Sequence, residues 1–184
     1  DFSLKDSDCF FIKRNDKFET SQSVIQLVCE RLPNAYGVNP LTDIQVLCPS
    51  RMLDTGTVNL NNILQSHLNP FSKDKPQLSF KGIYLREGDK IMQIKNNYDL
   101  QYKKDNGEYG SGIFNGDVGY ITDIDLRGGI VKVRYDDKVA TYFLEDLSQL
   151  ELAYAVTVHK SQGSEYDYVI IPLCDVPSKL KYRN

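Results

Sequence analysis

The sequence predicts a mixed α/β fold, a doubly wound layer of strands and helices with a small β-barrel inserted into it. Three observations carry this expectation. The chain opens as strand, helix, strand, helix. From Gly88 to Leu150 it becomes a series of short β-runs broken by glycine. After Leu150 the α/β texture returns.

Cys9-Phe10-Phe11-Ile12 is an apolar run ended by Lys13-Arg14-Asn15-Asp16, which reads as a buried strand and a turn. Val24, Ile25, Leu27, Val28 and Leu32 then recur at helical spacing, with Thr20, Ser21 and Ser23 as candidate caps and Pro33 as the stop. Ile44 to Cys48 is a second strand, ended by Pro49. Val58, Leu60, Ile63, Leu64 and Leu68 trace an amphipathic helix from Thr57 to Asn69-Pro70. In the inserted region, Ile91–Ile94, Val118–Ile121, Ile130–Tyr135 and Val139–Phe143 are strand candidates. Arg127-Gly128-Gly129 and Asp136-Asp137 supply hairpin turns, and four or five short strands in this length indicate a small barrel. Gly107–Gly112 reads as a flexible tip of that barrel. Beyond it, Leu152 to Gln162 is expected as a helix closed by Gly163, and Tyr168–Ile171 as a buried strand ended by Pro172.

With 184 residues, the chain has room for one domain, or for a medium domain carrying a small one, and for a real core. A net charge of -3 argues against coating nucleic acid through bulk positive charge, while leaving room for a local channel. Cys9, Cys29, Cys48 and Cys174 lie far apart with no CxxC pair, which argues against a disulfide framework or a zinc site. Cys29 and Cys48 sit in apolar runs and read as small core residues. No window is long and apolar enough for a transmembrane helix, and Asp1 to Asp8 are too polar for a secretory signal. The cytoplasm is the expected compartment. A start at Asp1 without Met fits a piece cut from a longer chain.

The densest polar cluster is Thr157-Val158-His159-Lys160-Ser161-Gln162-Gly163-Ser164-Glu165. One reading is an ordinary helix C-terminus, where His and Lys favour the negative dipole end and Gly takes the left-handed position. The other is a grip on polyphosphate or nucleic acid, made of short donors beside a flexible turn. No G-x-x-x-x-G-K-[ST] occurs, so the chain does not cradle a triphosphate by the P-loop mechanism. No Asp-Glu pair ends an apolar strand, so a magnesium carboxylate of Walker B type is missing as well. His67 lies far from His159 in sequence, and no metal site is expected.

Ala155–Tyr166 resembles motif V of superfamily 1 helicases, in the form used by the RecD/TraA branch, which includes exodeoxyribonuclease V alpha-subunit-like proteins. Gln45-Val46-Leu47-Cys48-Pro49-Ser50-Arg51 resembles motif IV. Gly56–Asn61, with Leu64-Gln65 and Leu68-Asn69-Pro70, resembles the helix that follows it. Gly88–Asp99 and Phe114–Gly119 resemble the lead into the inserted barrel of that branch. The matches are in order and cover almost the whole chain. They imply a second RecA-like motor domain of the P-loop NTPase type, without its own P-loop, at residues 1–88 and 151–184. They imply an inserted SH3-like β-barrel at residues 89–150. In such proteins ATP lies between two RecA-like domains and single-stranded DNA crosses their top, so Walker A and B would belong to the first domain. The sequence departs from the pattern at Tyr182-Arg183-Asn184, where it stops about where motif VI should begin.

The resemblance assigns Thr157 and His159 to the DNA strand, with Lys160, Ser161 and Gln162 as weaker neighbours. A hydroxyl and a neutral imidazole can hold a phosphate by hydrogen bonds and release it, as a stepping motor requires. It places Gly163 and Glu165 on the nucleotide side, where a carboxylate can accept from a ribose hydroxyl. Arg51 is either an arginine finger on the γ-phosphate or a solvated loop arginine. Asn96 and Asn97 either touch DNA or cap a turn. The implied whole is an ATP- and Mg2+-dependent 5′–3′ DNA helicase, inactive as this piece alone. Its implied partners are single-stranded DNA, the N-terminal RecA-like domain of the same parent chain and other proteins of DNA repair and recombination. Two rivals stand beside it: the helicase part of a TraA-like relaxase, and a binding module for DNA or protein with no motor activity.

Overall fold

The computed structural model describes residues 8–174; the expectations for Asp1 to Ser7 and for Tyr182 to Asn184 lie outside the described residues. Helix α1 spans Lys17–Gln26 and begins earlier than its apolar spacing predicts. Asp16 is the reason. Its carboxylate accepts from the Glu19 N–H at 2.8 Å, and Glu19 Oε2 accepts from the Asn15 N–H at 3.1 Å, so two orphan donors are satisfied reciprocally. The expected caps lie inside the helix, where the Thr20 and Ser23 hydroxyls donate back to the Asp16 and Glu19 carbonyls. Nor does Pro33 end the helix. A π-helical turn, Leu27–Arg31, leads into α2, Leu32–Tyr36, and this wider turn relieves the clash between the proline ring and the preceding turn. Cys9–Ile12 forms no strand, and Phe10 is 66% exposed. An apolar run signals burial only where a sheet edge is placed to receive it, which composition alone does not reveal.

Strand β1 is Ile44–Cys48 and helix α3 is Thr57–Leu68, both as expected. A hairpin follows that the sequence did not disclose, β2 (Gln77–Phe80) and β3 (Ile83–Arg86), turning at Lys81-Gly82 with both residues at positive φ. Then come β4 (Lys90–Gln93), β5 (Asn97–Lys104), β6 (Tyr109–Ile113), β7 (Val118–Asp125), β8 (Ile130–Tyr135) and β9 (Lys138–Tyr142). Here the expected loop tip at Gly107–Gly112 is corrected, because most of it is β6. Gly110 is needed in that strand: a Cβ there would lie 2.5 Å from the Tyr102 hydroxyl on β5. The expected turns at Arg127–Gly129 and Asp136-Asp137 do join β7 to β8 and β8 to β9.

The largest correction falls at Leu152–Gln162. No helix forms there; β10 (Leu150–Leu152) and β11 (Ala155–Thr157) occupy its first half and a turn its second. Leu152 to Val156 are all buried, and a segment buried on every side has no amphipathic face to mark it as helix or strand. Strand β12, Tyr168–Ile170, is present, but Val169 is 45% exposed, so it is half-buried rather than fully covered.

The strands form a three-stranded parallel sheet in the order β11-β1-β12 and an antiparallel seven-stranded sheet in the order β10-β4-β7-β8-β9-β5-β6. Ala153 and Tyr154 alone separate β10, at the end of the larger sheet's order, from β11 of the parallel sheet. One apolar core runs through both, with Ile44, Val46, Leu60 and Leu64 on one side and Ile91, Ile113, Val133 and Tyr142 on the other. Cys48 is fully buried, and burial pushes its thiol up to about 12, which agrees with its reading as a core residue.

Candidate nucleotide and nucleic-acid interface

Strands β1 and β11 run parallel with Cys48 opposite Thr157, and the Val158 N–H donates to the Cys48 carbonyl at 3.1 Å. Both therefore end at the same edge of the sheet, and the loops 49–56 and 158–167 leave from it together. The carboxyl edge of a parallel sheet is where α/β proteins place their ligands, because the loops there are free to carry function while the strands hold them in register.

The first loop is tied back onto α3. The Thr57 and Val58 N–H groups donate to the carbonyls of Ser50 and Arg51 at 3.2 and 3.1 Å. A Cβ at position 56 would lie 2.6 Å from the Arg51 carbonyl oxygen, so this approach requires Gly56. The Arg51 backbone is thus fixed while its side chain extends to Glu151, with Nη2 at 2.6 Å from Oε1. The second loop delivers Lys160 to the same carboxylate, its Nζ at 2.8 Å from Oε2. Thr57 and Thr157 line the shallow cleft around these three charges.

Val158–Gly163 is a compact turn. The Thr157 carbonyl accepts from the Lys160 and Ser161 N–H groups at 2.9 and 3.2 Å, and the Ser164 N–H closes on the Ser161 carbonyl at 3.1 Å. Gly163 sits at φ +84, the left-handed position expected for it, although it ends a turn and not a helix. His159, Gln162, Gly163 and Glu165 are exposed. Ser161 is buried, and its hydroxyl donates to the Val158 carbonyl at 2.8 Å, so it shapes the turn. Arg51, Thr157 and Lys160 are brought together; His159, Gln162, Gly163 and Glu165 lie on the same loop beside them. Asn96 and Asn97 are elsewhere, on the barrel side. The side-chain oxygen of Asn97 accepts from the Asp99 and Leu100 N–H groups and shapes a turn, and that of Asn96 accepts from the Asn115 N–H and ties two segments together.

Two supporting residues were not singled out by sequence. Asn61 of α3 donates to the Leu152 and Ala155 carbonyls, both at 2.9 Å, and accepts from the Ala155 N–H at 2.8 Å. It thereby clamps the crossover that launches β11. Asp89 is fully buried behind it and accepts from Asn69, Tyr154, Gln65 and the Arg86 N–H at 2.6 to 2.8 Å. Burial pushes the Asp89 carboxyl above the usual carboxylate range, and the four donors pull it back. Glu151 had a faint signal in the alternation of Leu150, Glu151 and Leu152; Asn61 and Asp89 stood only within longer family-like stretches, since a polar residue among apolar ones reads as surface until its partners are known.

Residues 60–135 match the family model described as the ATP-dependent RecD-like DNA helicase SH3 domain, and residues 152–184 match the UvrD-like helicase C-terminal domain. The ATP-dependent RecD2 DNA helicase of Deinococcus radiodurans is 33% identical over 141 residues, covering 77% of this chain and 18% of that protein. The chain resembles the RecD-like superfamily 1 helicases. It carries their C-terminal portion, a RecA-like α/β layer with an SH3-like insert. An uncharacterized protein of Methanocaldococcus jannaschii is 28% identical over 144 residues, covering 70% of this chain and 12% of that protein. The chain spans less than a fifth of the length of these two relatives. Among solved structures, Bacteroides Pif1 bound to ssDNA gives a TM-score of 0.42 at 17% identity, over 89% of this chain and 44% of that one. Pif1 helicase from Candida albicans gives 0.39 at 15% identity, over 85% and 44%. Among the described residues of this RecD-like chain, no helix is long and apolar enough to cross a membrane.

Proposed function

We propose that this RecD-like chain supplies the second motor domain of an ATP-dependent 5′–3′ DNA helicase, with residues 1–88 and 151–184 as the RecA-like part and 89–150 as the SH3-like barrel. The observation that carries the reading is the pairing of Cys48 with Thr157, which sends the two motif-bearing loops from one sheet edge. Thr157 and His159, with Lys160 and Gln162, hold a phosphate of single-stranded DNA. Arg51 meets the γ-phosphate of ATP bound against the N-terminal RecA-like domain, and Gly163 and Glu165 border its ribose side. The cationic cleft fits an anionic nucleotide. Among the described residues no cluster of His, Cys, Asp or Glu fits Mg2+, so the metal ligands are assigned to the partner domain. The setting is the DNA repair and recombination machinery of the cytoplasm.

The test compares ATPase activity of this chain and of the full-length protein, with and without single-stranded DNA. A silent chain beside a DNA-stimulated full-length protein is expected. Arg51→Ala in the full-length protein should lower kcat by about a thousandfold. Turnover by this chain alone overturns the domain assignment, and a silent full-length protein favours a binding module.

A further inference from the structure

Arg51 and Lys160 come from different loops, yet both end on one carboxylate. Glu151 belongs to neither loop. It sits on β10, at the end of the antiparallel sheet's order, opposite Met92 of β4. Each of its oxygens takes one cation, Arg51 at 2.6 Å and Lys160 at 2.8 Å. Two positive charges against one negative leave the cluster with a net attraction for an anion.

The three side chains are not equally free. Arg51 is 57% exposed, while Glu151 and Lys160 are 27% and 29% exposed. Arg51 is therefore the arm that an incoming phosphate can draw away at the smallest loss, since an exposed ion pair is weakly held and a guanidinium suits a phosphate equally well. Lys160 is the less exposed arm, and the turn that carries it is anchored where its backbone N–H donates to the Thr157 carbonyl at 2.9 Å. Once Arg51 leaves, both Glu151 oxygens face Lys160 alone. An ammonium recentred on that carboxylate would draw on the turn that carries Thr157 and His159.

We propose that Glu151 is a positioning residue that couples the two ligand surfaces. Capture of a nucleotide phosphate by Arg51 tightens the Glu151–Lys160 pair and changes the hold of the Thr157–His159 turn on a nucleic-acid phosphate. The coupling rests on the motor reading above for the identity of its two ligands. Because coupling is reciprocal, the strand alters nucleotide affinity by the same factor.

The experiment uses the full-length protein and a labelled oligothymidylate, with fluorescence anisotropy read with and without a non-hydrolysable ATP analogue. The wild-type ratio of the two dissociation constants is expected to be about ten, in the ordinary range for coupled sites. In Glu151→Gln, which keeps the shape and loses the charge, the ratio should fall to within about twofold of one while each ligand still binds alone. Glu151→Asp keeps the charge but is one methylene too short to reach both cations, and its ratio should fall likewise. A residue that merely neutralises its neighbours would keep the full ratio in the Asp variant. An unchanged ratio in both variants, or none in a wild-type protein that binds both ligands, overturns the coupling alone. A wild-type protein that binds neither ligand overturns the motor reading together with it.

Discussion

Asp89 and Glu151 are both carboxylates, placed on or beside the same antiparallel sheet, and their surroundings could hardly differ more. Asp89 is fully buried and accepts four hydrogen bonds from Asn69, Tyr154, Gln65 and the Arg86 backbone, and among the described residues it makes no ion pair. Glu151 is partly exposed and holds two cations from two loops. The first joins α3, the β2–β3 hairpin, β4 and the crossover residue Tyr154, all of which must be in place before the parallel sheet has its right neighbour. The second lies where ligands arrive and has partners that can be exchanged. A buried network of neutral donors gives rigidity, because every unmade bond in it is costly. An ion pair at the water's edge is cheap to open, which suits a surface that changes partners.

That contrast breaks most readily at Asp89. Asp89→Asn turns an acceptor into a donor against groups that are themselves donors, and should destabilise the fold by about 3 kcal/mol. Urea unfolding checks this, and a loss under about 1 kcal/mol would mean that the network is not the joint between the sheets. Glu151→Gln, by comparison, should leave the unfolding midpoint nearly unchanged.

Next to Asp89 in sequence stands Lys90, 4% exposed, and burial lowers its ammonium to about 8. Asp43, which acts in the opposite direction, does not offset the loss of water. The folded state thus holds its proton less tightly than the unfolded chain, and stability from this group rises with pH between about 8 and the unfolded lysine value near 10.4. At pH 7 the buried charge costs about 3 kcal/mol, so Lys90→Met should stabilise the fold by an amount of that order, with the gain fading towards about pH 10. A variant no more stable than wild type at neutral pH would mean that the ammonium reaches water after all.

The layout of the fold was legible wherever periodicity spoke for one face. Helix α3 and strands β7 to β9 each pair an apolar face with a more polar one, and β1, buried on both faces, was marked instead by a short apolar run stopped at Pro49. Legibility failed where burial is complete or where a distant partner decides. Leu152–Val156 is apolar throughout, so its sequence gives no period, and it is the pairing of β10 with β4, the clamp from Asn61 and the register of β11 with β1 that make two strands here. The β5–β6 hairpin was hidden because its glycines, of which Gly110 makes room for Tyr102, read as a loop. For the site, the order Arg51, Thr157, Lys160 was visible as motifs, but their meeting on Glu151 was not. A hundred residues separate Arg51 from Glu151 in the chain, and only the return of β10 beside β11 brings them together.

The smallest effect on the fold, and the sharpest test of the comparison, belongs to His159. It is exposed on the turn after β11, while the turn itself is held by Thr157, Ser161 and Gly163 through backbone groups and one buried hydroxyl. His159→Ala removes nothing from that scaffold, so the unfolding free energy should move by less than about 0.5 kcal/mol, as for other surface substitutions. If the turn grips a DNA phosphate, the same change in the full-length protein should weaken single-strand binding by about fivefold, a single hydrogen bond's worth. Stability and binding would then separate cleanly, the reverse of Asp89, where loss of the fold takes everything with it. A His159→Ala protein that unfolds early would place the imidazole in the scaffold. One that binds DNA as wild type would move the grip to Thr157 and Lys160.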